Sequence, residues 1–453
     1  MSSGRLVIEG CHVACCDADA TEHVDGHLVA VDGWITGLGS GPAPAPERVG
    51  AEVIDGLGCL LTPGLINTHH HLYQWITRGI APDATLFQWL TTLYPLWARL
   101  DEAATRGAVA ANLAWMALSG CTTCSDHHYV FPAGGGDLLA AEISAAGSIG
   151  IRFHPARGSM DLGVSQGGLP PDSVVEDRDA ILTATAEAID RWHDPAPDAM
   201  VRISVAPCSP FSVTGELMRE AAQLARARGV RLHTHLAETA DEDAFCREHF
   251  NCTPAQYAES LGWLGDDVWM AHCVHLGDDA IGRFAATGTG VAHCPTSNGR
   301  LGAGAAPVRE LLDAHVPVGL GVDGAASNES GRMVDELHQS LLTARVRSGP
   351  LGLRAREALT MATAGGARCL GRESELGTLA PGRLADLALW RVDGLAGSGI
   401  ADPVCTLVFG APALERLYVG GRAIVSGGRL ATADAEVLAG AAGRAAATIQ
   451  AAL

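Results

Sequence analysis

The chain has 453 residues, 47% of them hydrophobic and 18% charged, a balance that describes a well-buried globular protein and excludes a disordered one. Its 51 acidic residues against 31 basic ones leave a formal net charge of −20, which argues against a nucleic-acid backbone or an anionic membrane as partner and leaves a small neutral substrate open. All 31 basic residues are arginine, so a Schiff-base lysine, a phosphate-loop lysine and a carbamylated lysine bridging two metals are excluded too.

The N-terminus carries one early Arg and no apolar signal core, and no apolar run is long enough to span a bilayer. The 13 cysteines are scattered. Only Cys121-Thr122-Thr123-Cys124 has a metal-like spacing, and no second pair completes a structural zinc site. Reduced thiols in a cytoplasmic protein are the expectation.

Residues 1–62 read as short strands and turns, with Asp32-Gly33 as a hairpin signal between two apolar runs. A similar texture returns after residue 376. Strand-rich ends around a different middle predict one small β-sandwich domain built from both termini, residues 1–62 and 371–453. The middle, 63–370, alternates short apolar runs with Ala-rich segments at 102–118, 137–147, 178–192, 214–228 and 354–369. Eight candidate strands begin near Leu61, Cys121, Gly150, Val201, Arg231, Val268, Gly290 and Val316. Eight strands alternating with helices predict an α/β chain with a (β/α)8 TIM-like barrel.

The predicted strand ends are rich in histidine. They carry His69-His70-His71, His127-His128, His154, His233 and His235, His272 and His275, and His293. Barrel enzymes place their chemistry at the mouth formed by the C-terminal strand ends. His69 and His71 are two residues apart and share one face of an extended chain. With His235 and Asp323 they form a candidate mononuclear site for zinc, or alternatively ferrous iron, one per subunit. Such an ion brings the pKa of a water toward neutrality. Glu238, three residues after His235, is the candidate general base and proton carrier, and His272 can bond the attacking oxygen. Asp323 can also accept the second proton of the water. Any one of these residues alone has a structural reading, Glu238 for instance as a helix N-terminal acid. The ordered set HxH, HLAE, AHC and GVDG, each closing a predicted strand, is far more specific.

Two motif matches fail on context. Gly163-Val164-Ser165-Gln166-Gly167 has no apolar strand before it, and Gly319–Gly324 opens no amphipathic helix.

The segment Thr62–His71 with the downstream motifs resembles the amidohydrolase superfamily, in its mononuclear deaminase branch of purine, pyrimidine and triazine hydrolases. That resemblance implies His69, His71, His235 and Asp323 as metal ligands, Glu238 and His272 as catalytic groups, and a split β domain around the barrel. His69–Gln74 with Thr77-Arg78, Gly120–Thr123, Arg157-Gly158-Ser159-Met160, Gly167–Ser173 and Ala206–Phe211 are similar to bacterial 8-oxoguanine deaminases. The implied reaction is zinc-dependent deamination of an oxidised aminopurine, 8-oxoguanine to urate and ammonia, with isocytosine-like rings as further substrates. The alternatives are an s-triazine or other aminoheterocycle hydrolase releasing chloride or alkylamine, a guanine deaminase, and a catalytically silent scaffold. Gln74, Cys208, Arg157 and Trp115 are candidate substrate contacts. The partner is a small heterocycle, and the oligomeric state stays open.

Overall fold

The computed structural model describes residues 4–451. The two chain ends meet in one nine-stranded sheet. Strands Arg5–Ala14, Glu22–Val31, Trp34–Ser40, Glu52–Asp55 and Cys59–Pro63 come from the N-terminal side, and Leu387–Arg391, Ala413–Val419, Arg422–Ser426 and Arg429–Leu430 from the C-terminal side. Cys59–Pro63 is the joint, parallel to Arg5–Ala14 and antiparallel to Leu387–Arg391. The sheet curls until the Asp32-Gly33 turn reaches the chain leading into Leu387–Arg391, Ala385 N–H bonding the Gly33 carbonyl at 2.8 Å. Leu6, Ile8, Leu28, Leu61, Leu387 and Tyr418 pack in the core it encloses. Asp32 and Gly33 both take positive φ, 50° and 86°, as a two-residue hairpin turn of matching twist requires.

The second sheet is the barrel. Its eight parallel strands are β1 (Leu65–Asn67), β2 (Cys121–His128), β3 (Arg152–Ser159), β4 (Ser204–Pro207), β5 (Arg231–Leu236), β6 (Val268–His272), β7 (Gly290–His293) and β8 (Val318–Leu320), paired in chain order. Across the seam Thr68 N–H bonds the Leu320 carbonyl at 2.9 Å and Asp323 N–H the His69 carbonyl at 3.0 Å. The intervening helices include Glu102–Leu118, Leu138–Ile149, Arg178–Trp192 and Gly215–Arg228, close to the predicted Ala-rich segments.

Two elements depart from the sequence reading. The first barrel strand, expected to begin near Leu61, begins at Leu65, and Cys59–Pro63 belongs to the terminal sheet. Pro63 and Gly64 break the apolar run, and the chain passes from the terminal sheet into the barrel there. A Cβ on Gly64 would lie 2.2 Å from the Thr122 side chain, so only glycine fits this crossing. The apolar residues on either side look alike, because both sheets bury both faces of the chain, and only the Pro63-Gly64 pair marks the change of sheet. At the C-terminal end, Ala435–Gln450 is a helix capped by Asp434. It leaves the sheet and packs on the barrel helix Glu102–Leu118, where a Cβ on Gly107 would lie 3.3 Å from the Ala441 carbonyl. Among the described residues, no helix is long and apolar enough to cross a membrane.

Candidate metal centre and active-site cavity

Five side chains from four strand ends converge at the barrel mouth. His69 and His71 follow β1, His235 lies in β5, His272 ends β6 and Asp323 follows β8. The His71 and His235 Nε2 atoms are 3.1 Å apart. Asp323 Oδ1 is 3.3 Å from both His69 Nε2 and His71 Nε2. All of these residues are buried.

Their hydrogen bonds fix which ring nitrogen is bare. His71 Nδ1 donates to the His127 carbonyl at 2.7 Å, and His235 Nδ1 donates to the Cys208 carbonyl at 2.7 Å. Both rings therefore turn an Nε2 lone pair inward. His69 reaches the same state through a relay. His233 Nδ1 donates to the Trp269 carbonyl at 2.9 Å, which leaves His233 Nε2 to accept from His69 Nδ1 at 2.8 Å. His69 Nε2 has no hydrogen-bond partner. Burial, with the neighbouring imidazoles, holds His69 and His235 well below the usual histidine range and His71 at about 4. Three neutral imidazoles thus aim electron pairs at one point beside a carboxylate.

Lone pairs at such distances repel unless a cation lies among them. Four ligand atoms arranged tetrahedrally at ~2.0–2.1 Å from one centre stand about 3.3 Å apart, close to the separations seen. The nitrogen and oxygen donor set fits a divalent transition metal. Asp323 is braced for this. Its Oδ1 accepts from Gly324 N–H at 2.7 Å and its Oδ2 from Ser297 Oγ at 2.6 Å.

Glu238 and His272 stand beside this point, with His272 Nε2 3.7 Å from Glu238 Oε2 and 4.0 Å from Asp323 Oδ2. His272 Nδ1 donates to Asn298 Oδ1 at 2.9 Å, which orients the ring. Burial raises the Glu238 pKa, with the charge of His272 acting against the rise. Burial alone lowers that of His272, and the Glu238 and Asp323 carboxylates overcome it and raise it. Glu242 holds the backbone beneath Glu238, accepting from Ala237 and Glu238 N–H at 2.8 and 3.0 Å. Ala237, His272, Cys273 and Asp323 all take positive φ of 51–70°, conformations that cost non-glycine residues energy and gather at functional sites.

The cavity above these groups is mostly apolar, walled by Leu86, Trp89, Tyr94, Tyr129 and Phe211. Gln74 and Cys208 line it as expected. Both amide atoms of Gln74 are buried without a partner, and its Oε1 lies so close over Gly324 that a Cβ there would come within 1.8 Å. Arg157 and Trp115 do not join them. Arg157 pairs with Glu176 at 2.8 Å and stacks on Phe131. It is three residues from His154, so it leaves β3 on the opposite face. Trp115 is 39% exposed on its helix and donates to the Ser330 carbonyl.

Two positioning residues, Glu242 and Asn298, escaped the sequence reading, whereas His233 was already placed at its strand end. His233 lies two residues before His235, so the shared strand face signals its place. Glu242 and Asn298 arrive from helices, and no local pattern marks them. A second group with ligand-like spacing, Asp126, His128 and Glu142, behaves differently. His128 Nε2 donates to the Val130 carbonyl, and its Nδ1 lies 2.7 Å from Glu142 Oε1. Burial pushes the Glu142 carboxyl up to about 8 and His128 down to about 4, so the acid donates its proton to the ring. Both nitrogens of His128 are thus engaged, while Asp126 Oδ2 and Glu142 Oε2 stay without a partner.

Residues 60–424 match the amidohydrolase family. The chain belongs to that family. Among its amidohydrolase relatives, an 8-oxoguanine deaminase from Pseudomonas aeruginosa is 46% identical over 400 residues, 87% of this chain and 88% of the relative. An isoxanthopterin deaminase from an unidentified prokaryote is 37% identical over 450 residues, covering 94% and 92%. The zinc complex of an atrazine chlorohydrolase from Arthrobacter aurescens superposes with a TM-score of 0.92 at 35% identity, covering 97% of this chain and all of that one. This amidohydrolase is accordingly a hydrolytic enzyme with deaminases among its relatives.

Proposed function

We propose that the enzyme is a zinc-dependent aminohydrolase that converts 8-oxoguanine to urate and ammonia. The observation that carries this reading is the cluster of Glu238, His272 and Asp323 around a donor set for one cation, beneath an apolar cavity with an unpaired amide in its wall. The 46% identity to an 8-oxoguanine deaminase supports the purine.

In this scheme His69, His71, His235 and Asp323 hold the ion. Zinc there supplies Lewis acidity and makes hydroxide available near neutral pH. Glu238 takes a proton from the attacking water and delivers it to the ring nitrogen beside the amine-bearing carbon. His272, fixed by Asn298, hydrogen-bonds the attacking oxygen through Nε2. Asp323 Oδ2 accepts the second water proton and hands it to the leaving amine. The C–O bond forms, the C–N bond breaks, and water and substrate become urate and ammonia. Gln74 pairs its free amide with an adjacent N–H and C=O of the ring, and Cys208 shapes the pocket edge. Isocytosine-like rings present the same amidine edge. The free cysteines suit a cytoplasmic enzyme.

A second reading, chloride or alkylamine release from an s-triazine, draws on the likeness to the atrazine chlorohydrolase. A panel of 8-oxoguanine, guanine, isocytosine and s-triazines separates the two, with ammonia, chloride and alkylamine measured alongside the metal content. Ammonia from 8-oxoguanine with about one zinc per chain is expected. No turnover of any aminopurine or aminopyrimidine sinks the proposal.

A further inference from the structure

At the opposite end of the barrel, where the strands begin, a separate cavity of about 230 Å³ is lined by His154, His193, Arg202, Ser204, Arg231 and Trp269. We propose that this floor cavity is an anion site that binds a phosphate-class oxyanion.

Its walls supply donors from several directions. His154 Nε2 accepts from Arg372 Nη1 at 3.2 Å, which places the ring's hydrogen on Nδ1. Arg202 Nε, Arg231 Nε and Ser204 Oγ are buried with no hydrogen-bond partner. Arg202 and Arg231 otherwise donate only to backbone carbonyls, of Pro195, Ala196 and Asp266. Buried donors left unmade are costly, and an oxyanion satisfies several at once.

The charges agree. Four guanidinium groups gather here, from Arg152, Arg202, Arg231 and Arg372. Asp386 is taken up by Arg152 at 2.8 Å. Glu375 is shared at longer range, 3.7 Å from Arg202 and 3.5 Å from Arg372. Asp267 is held by Arg226. Asp194, Asp266 and Glu373 act on these arginines through space, and none forms an ion pair with them among the described residues. In a chain of net charge −20, this cavity is lined by Arg202, Arg231, His154 and His193 and by no carboxylate. Donors on β3, β4, β5 and a loop suit a tetrahedral dianion better than a planar carboxylate.

The test is calorimetric titration of the metal-loaded full chain with inorganic phosphate at constant ionic strength. One saturable site per chain is expected, with acetate binding at least tenfold more weakly. R202Q and R231Q each weaken phosphate at least tenfold. Peptide mapping after phenylglyoxal treatment of the unmutated protein gives a readout independent of variant folding, with phosphate shielding Arg202 and Arg231. Ribose 5-phosphate distinguishes an esterified from a free phosphate by which binds more tightly. No saturable binding, binding unchanged in both variants, or modification of both arginines unaffected by phosphate would overturn the proposal.

Discussion

The mouth and the floor of this barrel are both crowded with buried polar side chains, yet they have opposite polarity. At the mouth the His71 and His235 Nδ1 hydrogens are spent on backbone carbonyls, so lone pairs converge. At the floor arginines and an Nδ1–H imidazole leave donors unspent. Trp269 stands between the two. Its ring stacks on His233 at 4.4 Å between centroids and walls the floor cavity on its own side. The lesson is that residue type does not set the charge a barrel end attracts. His154 and His235 are the same residue, and the partner of the second nitrogen decides which face of the ring is offered.

The largest break in this contrast is removal of a convergent lone pair. H235A is expected to purify with little metal and to lose activity on the order of 10³-fold or more, as metal analysis and ammonia release would show. Stoichiometric zinc in that variant would refute the ligand assignment. E238Q should be milder and of another kind. It keeps the metal while turnover falls roughly 10²- to 10⁴-fold, and near-normal turnover would remove Glu238 from the mechanism. H233F preserves the stack on Trp269 but deletes the acceptor that sets the His69 tautomer. Metal affinity should fall about 10- to 100-fold, measured by chelator competition, while the fold persists. Unchanged affinity would make His233 mere packing.

The smallest effect concerns the neighbouring group with ligand-like spacing, Asp126, His128 and Glu142, whose imidazole has no bare nitrogen. Glu142 is held near 8 in the fold by burial, above its unfolded value of about 4.3. The folded state therefore binds the proton more tightly, and its contribution to stability is full below pH 4 and lost as pH rises toward 8. E142Q mimics the protonated acid. Its melting temperature relative to the unmutated chain should climb by a few degrees between pH 5 and pH 8, and a pH-independent difference would show that Glu142 is ionised there.

Much of this was legible in the chain. The eight strands, the helices between them and the order His69, His71, His235, Glu238, His272, Asp323 follow from periodicity and spacing, which are local properties. The first barrel strand reads as starting near Leu61 rather than Leu65, since an apolar run looks alike in two sheets, although the domain boundary at 62/63 lies beside the Pro63-Gly64 break. Arg157 and Trp115 could not be assigned for the same kind of reason, because the side of the barrel wall a residue faces depends on register and neighbours.

The amino-acid order by itself determined which groups are available and at which strand ends they fall. Only the tertiary structure decided which nitrogen of each histidine is bare and which arginine hydrogens stay unpaired. Those outcomes depend on backbone carbonyls brought from distant strands, such as Cys208 to His235 and Trp269 to His233, and hydrogen bonds of that range leave no trace in the spacing of residues along a chain.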